Sequence, residues 1–217
     1  MTATESLACD LLVIGSGAGG LATAVTAARL GLEVMVVEKD FHVGGTSAWS
    51  GGWMWIPNNS LARAEGSADD GDACRTYLRH ELGQAYDEAL IEAFLTHGPR
   101  MIDFFQRETS LRFINGASIP DFHGRSPGAA LGNRAVGAAP FDGRQLGKDI
   151  HLLKPPLDLI SPFGMGIATG EFWHFVNFLR KPHSFVHVAR RVLRHRFDLL
   201  RHGRGMHLVN GNALVAR

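Results

Sequence analysis

Six residues near the N-terminus, Gly15-Ser16-Gly17-Ala18-Gly19-Gly20, constrain this chain more than any other part of it. They have the spacing G-x-G-x-x-G and lie between an apolar run, Asp10-Leu-Leu-Val-Ile14, and an amphipathic stretch from Gly19 to Leu30. The apolar run, stopped by Gly15, predicts a buried strand. The stretch after it predicts a helix with Leu21, Ala24, Val25 and Ala28 on the packed face and Gly31 just past its end. Glu33-Val-Met-Val-Val-Glu38 predicts a second buried strand, which completes a βαβ unit. In that setting each glycine has a task. Gly15 turns tightly out of the strand, Gly17 lets a pyrophosphate approach the backbone, and Gly20 lets the helix pack closely on the strand. The free N–H groups and the dipole of the helix then face the phosphates. Glu38, at the end of the second strand, is placed to accept hydrogen bonds from the adenosine ribose and to repel a 2′-phosphate, which argues against NADP.

NAD and FAD share this pattern, so the next stretch has to separate them. Glu38-Lys39 followed by Gly44-Gly45-Thr46-Ser47 resembles the signature that continues the dinucleotide fold in FAD enzymes. Small residues there let the chain pass close to the cofactor, and the hydroxyls of Thr46 and Ser47 can bond phosphate or ribityl oxygens. Beyond it, Phe41 to Asn59 reads as a Gly- and Trp-rich loop. Helical patterns follow over Asp70 to Leu82, with Asp69 or Asp70 as cap, and over Glu88 to Arg107, where Pro99 predicts a division or a kink. Leu111 to Ile114 predicts a short strand. Asn115 to Gly147 holds seven glycines and three prolines and reads as a long loop serving a site. Glu171 to Leu179 and His183 to Leu200 predict helices, Met206 to Val209 a strand, and Gly211 onward another helix.

Composition narrows the classes. Lys and Arg total 22 against 21 Asp and Glu, so the whole chain has no pull toward nucleic acid or anionic lipid. Two cysteines, Cys9 and Cys74, make no disulfide framework, and Cys9 reads as a small buried residue. No apolar run of about 18 residues exists to span a bilayer, and Met1 to Cys9 lacks the pattern of a signal peptide. These features predict a cytoplasmic protein. His183 and His187 have a metal-type helical spacing, but no Glu follows as in HExxH, so no metal site is expected. Arg190, Arg191, Arg194 and Arg201 fall opposite the apolar stripe of Phe185, Val188, Ala189, Val192, Leu193, Phe197 and Leu200, which predicts a solvated basic face. Trp49, Trp53 and Trp55 either line a flat apolar ligand or pack the loop against the sheet.

The run from Gly44 through Gly51, Gly52 and Trp53 to Asn59 resembles the 3-ketosteroid Δ1-dehydrogenase branch of the fumarate reductase/succinate dehydrogenase flavoprotein superfamily. Pro120-Asp-Phe-His123, Phe141 to Gly147 and Leu208 to Arg217 agree with it. The resemblance implies an α/β fold: a Rossmann-like FAD-binding βαβ unit with helical and Gly-rich loop additions, in an incomplete domain. Residues 1–60 would form the dinucleotide-binding unit and flavin loop, and 61–217 a helical and loop region. Relatives run far beyond this length, so the substrate domain would lie outside this chain, and the remainder of the polypeptide or another subunit would complete the site.

It also implies FAD-dependent removal of two hydrogens from a CH–CH bond beside a carbonyl, a base taking the α-proton and the flavin a hydride. The substrate would be a small apolar ketone, steroid-like in the specific case. A fumarate-reductase-like ene-reductase, or an FAD-binding remnant without its own catalysis, are the alternatives. Gly51 and Gly52 are carried over as cofactor contacts, and Trp53 and Phe122 as neighbours of the substrate. Phe122 stands where the family carries the tyrosine of a Pro-Asp-Tyr stretch, so it has no hydroxyl to relay a proton. Tyr77 and Tyr86 fall in helical patterns where packing explains them, and no catalytic residue is assigned.

Overall fold

The computed structural model describes residues 6–67, 69 and 71–217. Its helices are α1 (Ala18–Arg29), α2 (Ser60–Ala64), α3 (Gly71–Leu82), α4 (Glu88–Glu108), α5 (Phe172–Val176), α6 (Pro182–His202) and α7 (Asn210–Ala216). Its strands are β1 (Leu11–Ile14), β2 (Val34–Val37), β3 (Trp53–Trp55), β4 (Phe113–Asn115), β5 (Ala135–Ala138), β6 (Phe141–Asp142) and β7 (His207–Leu208). Short 3₁₀ turns connect several of them, including Gly45–Trp49 and Gly143–His151. The chain folds as two compact units, Met1–Ser50 with Pro140–Arg217, and Gly51–Ala139. No helix among the described residues is long and apolar enough to cross a membrane.

In the first unit β1 and β2 pair in parallel, Leu11 opposite Val34 through Ile14 opposite Val37, with α1 as the crossover. Gly31 takes φ +89° just past the end of α1. A Cβ on Gly20 would stand 2.0 Å from the Gly15 carbonyl oxygen and 3.3 Å from Val13 Cγ1, so the helix lies very close to β1. Only small side chains fit between the two elements. The packed face is therefore Ala24 and Ala27 rather than the expected Val25 and Ala28, which are exposed. The strands themselves are not buried as expected. Val13, under α1, is 7% exposed, but Ile14 on the other face is 82% exposed. Among the described residues each strand has one neighbour, and α1 covers one face. Cys9 is half-buried rather than buried.

Helix α6 is rotated about its axis from the expected orientation: Arg190, Arg194 and Arg201 are exposed as expected, but Arg191 is not. Its buried side chains are Ser184, Arg191, His195 and Asp198, while Phe185, Val186, Leu193, Phe197 and Leu200 are exposed, Leu200 at 89%. The cause lies in what it packs against. The segment before it, Asp158 to Glu171, is a chain of short 3₁₀ turns whose backbone carbonyls need donors. Arg191 Nη2 donates to Gly166 O at 2.7 Å, Arg191 Nε meets Glu171 Oε1 at 2.9 Å, and His195 Nε2 lies 2.9 Å from Phe163 O. Asp198 accepts from the Met206 amide and from Arg144 Nη2, each at 3.2 Å. The expectation of a solvated Arg191 fails because irregular backbone, not an apolar surface, is the nearest neighbour.

The second unit is built on a three-stranded antiparallel sheet in the order β3-β5-β4, with Trp53 opposite Gly137 and Ile114 opposite Gly137 on the other side. The central strand, Ala-Val-Gly-Ala, is buried at every residue and lies inside the stretch read from sequence as a loop. A Cβ on Gly137 would stand 2.9 Å from the Trp53 ring, so the indole lies directly on the strand. Helix α4 runs unbroken through Pro99 for 21 residues, against the expected division. Gly98 and Pro99 are both buried, and a Cβ on Gly98 would come within 3.3 Å of Ile56 Cγ2. Tertiary packing of this face outweighs the one backbone hydrogen bond that proline removes. Asp87 caps α4 by accepting from the Leu90 amide at 3.0 Å. For α3, Asp70 lies outside the described residues, and the Asp69 carboxylate is turned to Arg134.

Arg134 is the centre of this unit. Its side chain is 3% exposed and meets Asp69 Oδ1 at 3.1 Å and Asp121 Oδ2 at 2.8 Å. It also donates to Gly128 O at 2.8 Å. Asp121 in turn accepts from Trp55 Nε1 at 2.7 Å and from the Ala130 amide at 2.9 Å. One cation thus pins the Gly-rich stretch from several points. Beside it, burial together with the Asp69 charge pushes the Cys74 thiol up to about 12.

Two stability predictions follow from these buried ions. Arg134→Met strands two buried carboxylates and is expected to cost about 3–5 kcal/mol, read from urea denaturation. On α6, Asp198→Ala is expected to lower the unfolding midpoint clearly, while Leu200→Ser is expected to change stability by no more than about 0.5 kcal/mol. The opposite ranking would mean that α6 is turned the other way.

Candidate functional site

The first unit brings Gly15–Gly20, Glu38 and Gly44–Ser47 together. Gly15 leaves β1 with its amide bonded to Val37 O at 2.7 Å, which fixes the turn against the end of β2. Ser16, the variable position between the first two glycines, is fully buried and acts as a hub. Its amide donates to Glu38 Oε2 at 2.8 Å, its hydroxyl donates to the same oxygen, and the Gly44 amide donates to its hydroxyl at 3.0 Å. Nothing in the sequence pattern marks this role, because the fingerprint leaves that position free.

Glu38 Oε1 accepts from the Asp40 amide at 2.9 Å. The Asp40 amide, then the Ser16 hydroxyl and amide, hold the Glu38 carboxyl down at about 2. Glu38 is therefore an anion at every physiological pH, and the one acceptor site left on Oε1 is available to a hydroxyl donor. Asp40 is itself drawn below the usual carboxylate range by a hydrogen bond from Lys154, with Lys154 Nζ also lying 4.3 Å from the Trp49 ring centroid.

Helix α1 starts with Gly17 in the N-cap position, with no capping side chain of its own and no acidic residue in the first turn. The first N–H groups of a helix have no intrahelical partner, and the helix dipole adds partial positive charge there. Ser47 Oγ accepts from the Ala18 amide at 2.9 Å across 29 residues of sequence. Gly15 and Gly19 have no heavy atom within 4 Å of the place a Cβ would take, so the mouth of the turn is open. Gly45 comes close enough that a Cβ there would stand 3.8 Å from Gly17 Cα. An open glycine turn, an unanswered helix N-terminus, an added hydroxyl and one ionised carboxylate suit a pyrophosphate joined to a ribose. The residues fit the ADP half of FAD. Lys39 and Thr46 are exposed at the edge of this group.

Gly51, Gly52, Trp53 and Phe122 belong to the second unit. Gly52 takes φ +67° ahead of β3, and Trp53 covers Gly137 and Gly116. Trp55 stacks on Phe94 with centroids 6.1 Å apart, and Trp49, in the first unit, donates to Pro155 O at 2.9 Å. All three tryptophans therefore have packing or hydrogen-bonding partners. Phe122 is fully exposed, at 101%, between an anchored Asp121 and a His123 whose amide donates to Tyr77 Oη at 3.4 Å. Tyr77 is buried, and Arg79 lies 4.7 Å from the Tyr86 ring centroid. His187 stacks on His174 and lies 3.3 Å from Glu171 Oε1. Among the described residues no three His, Cys, Asp or Glu side chains are grouped to hold a metal ion.

Comparison with known proteins agrees with this geometry. Over 215 residues the chain is 39% identical to 4-oxocyclohex-2-ene-1-carboxylate 5-dehydrogenase of Sinomonas cyclohexanicum, covering 97% of this chain and 36% of that protein. It is 40% identical over 146 residues to 3-oxosteroid 1-dehydrogenase of Mycobacterium tuberculosis, covering 67% of this chain and 26% of that protein. The structure of 3-ketosteroid Δ1-dehydrogenase from Sterolibacterium denitrificans, in complex with 1,4-androstadiene-3,17-dione, superposes with a TM-score of 0.81 at 32% identity. It covers 96% of this chain and 37% of that one. The matched stretch thus spans between about a quarter and little more than a third of the length of these relatives. Residues 10–217 match the FAD binding domain, and the chain belongs to that family of flavoprotein domains.

Proposed function

We propose that the whole protein is an FAD-dependent dehydrogenase that removes two hydrogens from a CH–CH bond beside the carbonyl of a cyclic ketone, with a 3-ketosteroid as the leading candidate. The observation that supports the cofactor is the seating of the Gly44–Ser47 segment on the glycine turn and α1, through Ser47 Oγ and the Ala18 amide, beside an ionised Glu38. In this reading Gly15–Gly20 and Ser47 hold the pyrophosphate, and Glu38 holds the adenosine ribose. Lys39, Gly44, Gly45, Thr46, Gly51 and Gly52 continue the cofactor contact. Bound FAD supplies the hydride acceptor for such a reaction. The named activities of the relatives, both dehydrogenations of cyclic ketones, favour this direction over ene-reduction.

Phe122, with Trp53, would give a flat apolar substrate contact area but not a proton path, since neither side chain has an acidic or basic group. The α-proton must then go to a group outside the residues assigned here. The exposed apolar faces of β1, β2 and α6 support a further partner, the remainder of the polypeptide or another subunit, that covers them. The free thiols of Cys9 and Cys74 support work in a reducing cytoplasm.

The apoprotein is expected to take up FAD and turn yellow, and to leave NADH unbound. Glu38→Ala removes charge-assisted hydrogen bonds worth roughly 1.5–3 kcal/mol each. FAD affinity should fall at least tenfold by fluorescence titration, while Glu65→Ala should leave it unchanged. Equal affinity in both variants would refute the ribose assignment.

The pH dependence has a definite sign. The Glu38 carboxyl is lowered from 4.5 to about 2, so its stabilisation is complete above 4.5 and lost as the pH falls through 2. FAD retention should therefore be level from about pH 5 to pH 8 and should fail only in strong acid. For catalysis, the protein with its remaining polypeptide should oxidise a 3-ketosteroid with an artificial electron acceptor, and residues 1–217 alone should not. Turnover by the isolated 217 residues would show that the proton acceptor is among them.

A further inference from the structure

The turn that carries Ser47 is held from the other end of the chain. At its first turn α7 lies on Gly45–Trp49 without a gap: a Cβ on Gly211 would stand 1.9 Å from the Ser47 carbonyl oxygen. The Gly211 amide donates to Ser50 O at 3.0 Å. Next to it the Asn212 side chain is buried, and its Nδ2 donates to Ala48 O at 2.8 Å and to Lys154 O at 3.3 Å. Val215, one turn on, lies 3.1 Å from where a Cβ of Gly44 would be. The opposite side of the same turn faces α1, through Gly45 against Gly17 and Ser47 against the Ala18 amide. The turn is therefore clamped between the N-termini of two helices.

Arg204 orients the clamp. Its Nη1 donates to Ile150 O and Leu153 O, each at 2.9 Å, and its Nη2 donates to Asn212 Oδ1 at 3.3 Å. Among the described residues no carboxylate pairs with it, and burial pushes its pKa down. A partly buried guanidinium without a counter-charge depends on every acceptor it has. Because Asn212 Oδ1 is one of them, the amide can turn only its Nδ2 toward Ala48.

We propose that Asn212, oriented by Arg204 and seated by Gly211, is a positioning residue for FAD. It holds the Gly45–Trp49 turn on α1, so that the Ser47 hydroxyl and the helix amides form one anion-binding surface. This rests on the FAD reading of that surface. A general loss of fold would also weaken FAD, and Asn212→Asp separates the two effects. The new carboxylate pairs with Arg204, which offsets the loss of the bonds to Ala48 O and Lys154 O. It presents only acceptors to Ala48 O, which unhooks the turn.

The test titrates apoprotein with FAD by flavin fluorescence and follows the unfolding temperature without FAD. For Asn212→Asp the expected result is a Kd at least tenfold higher with an unfolding temperature close to that of wild type. Gly211→Ala should weaken FAD as well. Asn177→Asp alters another buried amide, bonded to Trp173 O, and should lower the unfolding temperature while leaving the Kd unchanged. A Kd for Asn212→Asp within twofold of wild type overturns the proposal, and so does an affinity loss that only parallels a fall in unfolding temperature. A wild-type protein that takes up no FAD overturns the cofactor reading itself and this proposal with it, a result distinct from either.

Discussion

The first unit depends on a single buried hydroxyl. Ser16 joins the glycine turn, the end of β2 and the start of the Gly44–Ser47 segment through bonds to Glu38 and Gly44. Three stretches within thirty residues of one another thereby converge on one side chain that no solvent reaches. The same bonds that fix the geometry set the electrostatics, because two of the donors that keep Glu38 ionised come from Ser16. Shape and charge at this site are one arrangement. Hydrogen bonds to a carboxylate are stronger than neutral ones, so the convergence is stiff as well as specific.

Distance of approach is the second constraint. Gly20 lets α1 descend until Ala24 and Ala27 are the largest residues that fit beneath it, and that descent places the first amides of the helix beside the turn. Gly211 does the equivalent for α7, and the Gly45–Trp49 turn lies between the two. In both cases a missing Cβ, not an added side chain, creates the contact. The apolar surfaces that remain outward, Leu12 and Ile14 on β1 and the Phe185 to Leu200 stripe of α6, are the reverse of this economy. They are large side chains with nothing on them in a chain that spans at most little more than a third of these relatives.

What the sequence disclosed and what it hid divide along a physical line. Periodicity and glycine spacing located β1, α1, β2 and the residues around the turn, because the βαβ unit imposes its pattern within thirty-odd residues. Burial was misjudged wherever it depends on a distant partner. The strands read as buried because aliphatic runs usually are, yet here one face is open. In α6 the apolar stripe was visible but its direction was not, since the irregular segment with unsatisfied carbonyls that draws Arg191 and His195 inward has no periodicity of its own. Strand β5 was missed because Ala-Val-Gly-Ala has neither alternation nor bulk, and the Trp53 ring lies on its Gly137. The hub role of Ser16, and Asn212 and Arg204 altogether, were invisible for a related reason. Their roles are defined by the atoms they meet, not by any spacing along the chain.

The second unit shows how a long glycine-rich stretch can be rigid. The nineteen residues between β4 and β5 would be mobile if held only at their ends, but Arg134, just before β5, reaches back to Asp121 and Gly128 while Asp69 shares its charge. Ion pairs of this kind add little to stability when weighed against an apolar core, and their value is in defining one arrangement. Here the arrangement buries Asp121 and leaves its neighbour Phe122 wholly in solvent. The anchored backbone fixes where this ring is displayed, while the exposed side chain keeps its own rotamer freedom. A hydroxyl at that ring could have moved a proton. Phenylalanine at that position displays apolar area and no group that can take or give a proton.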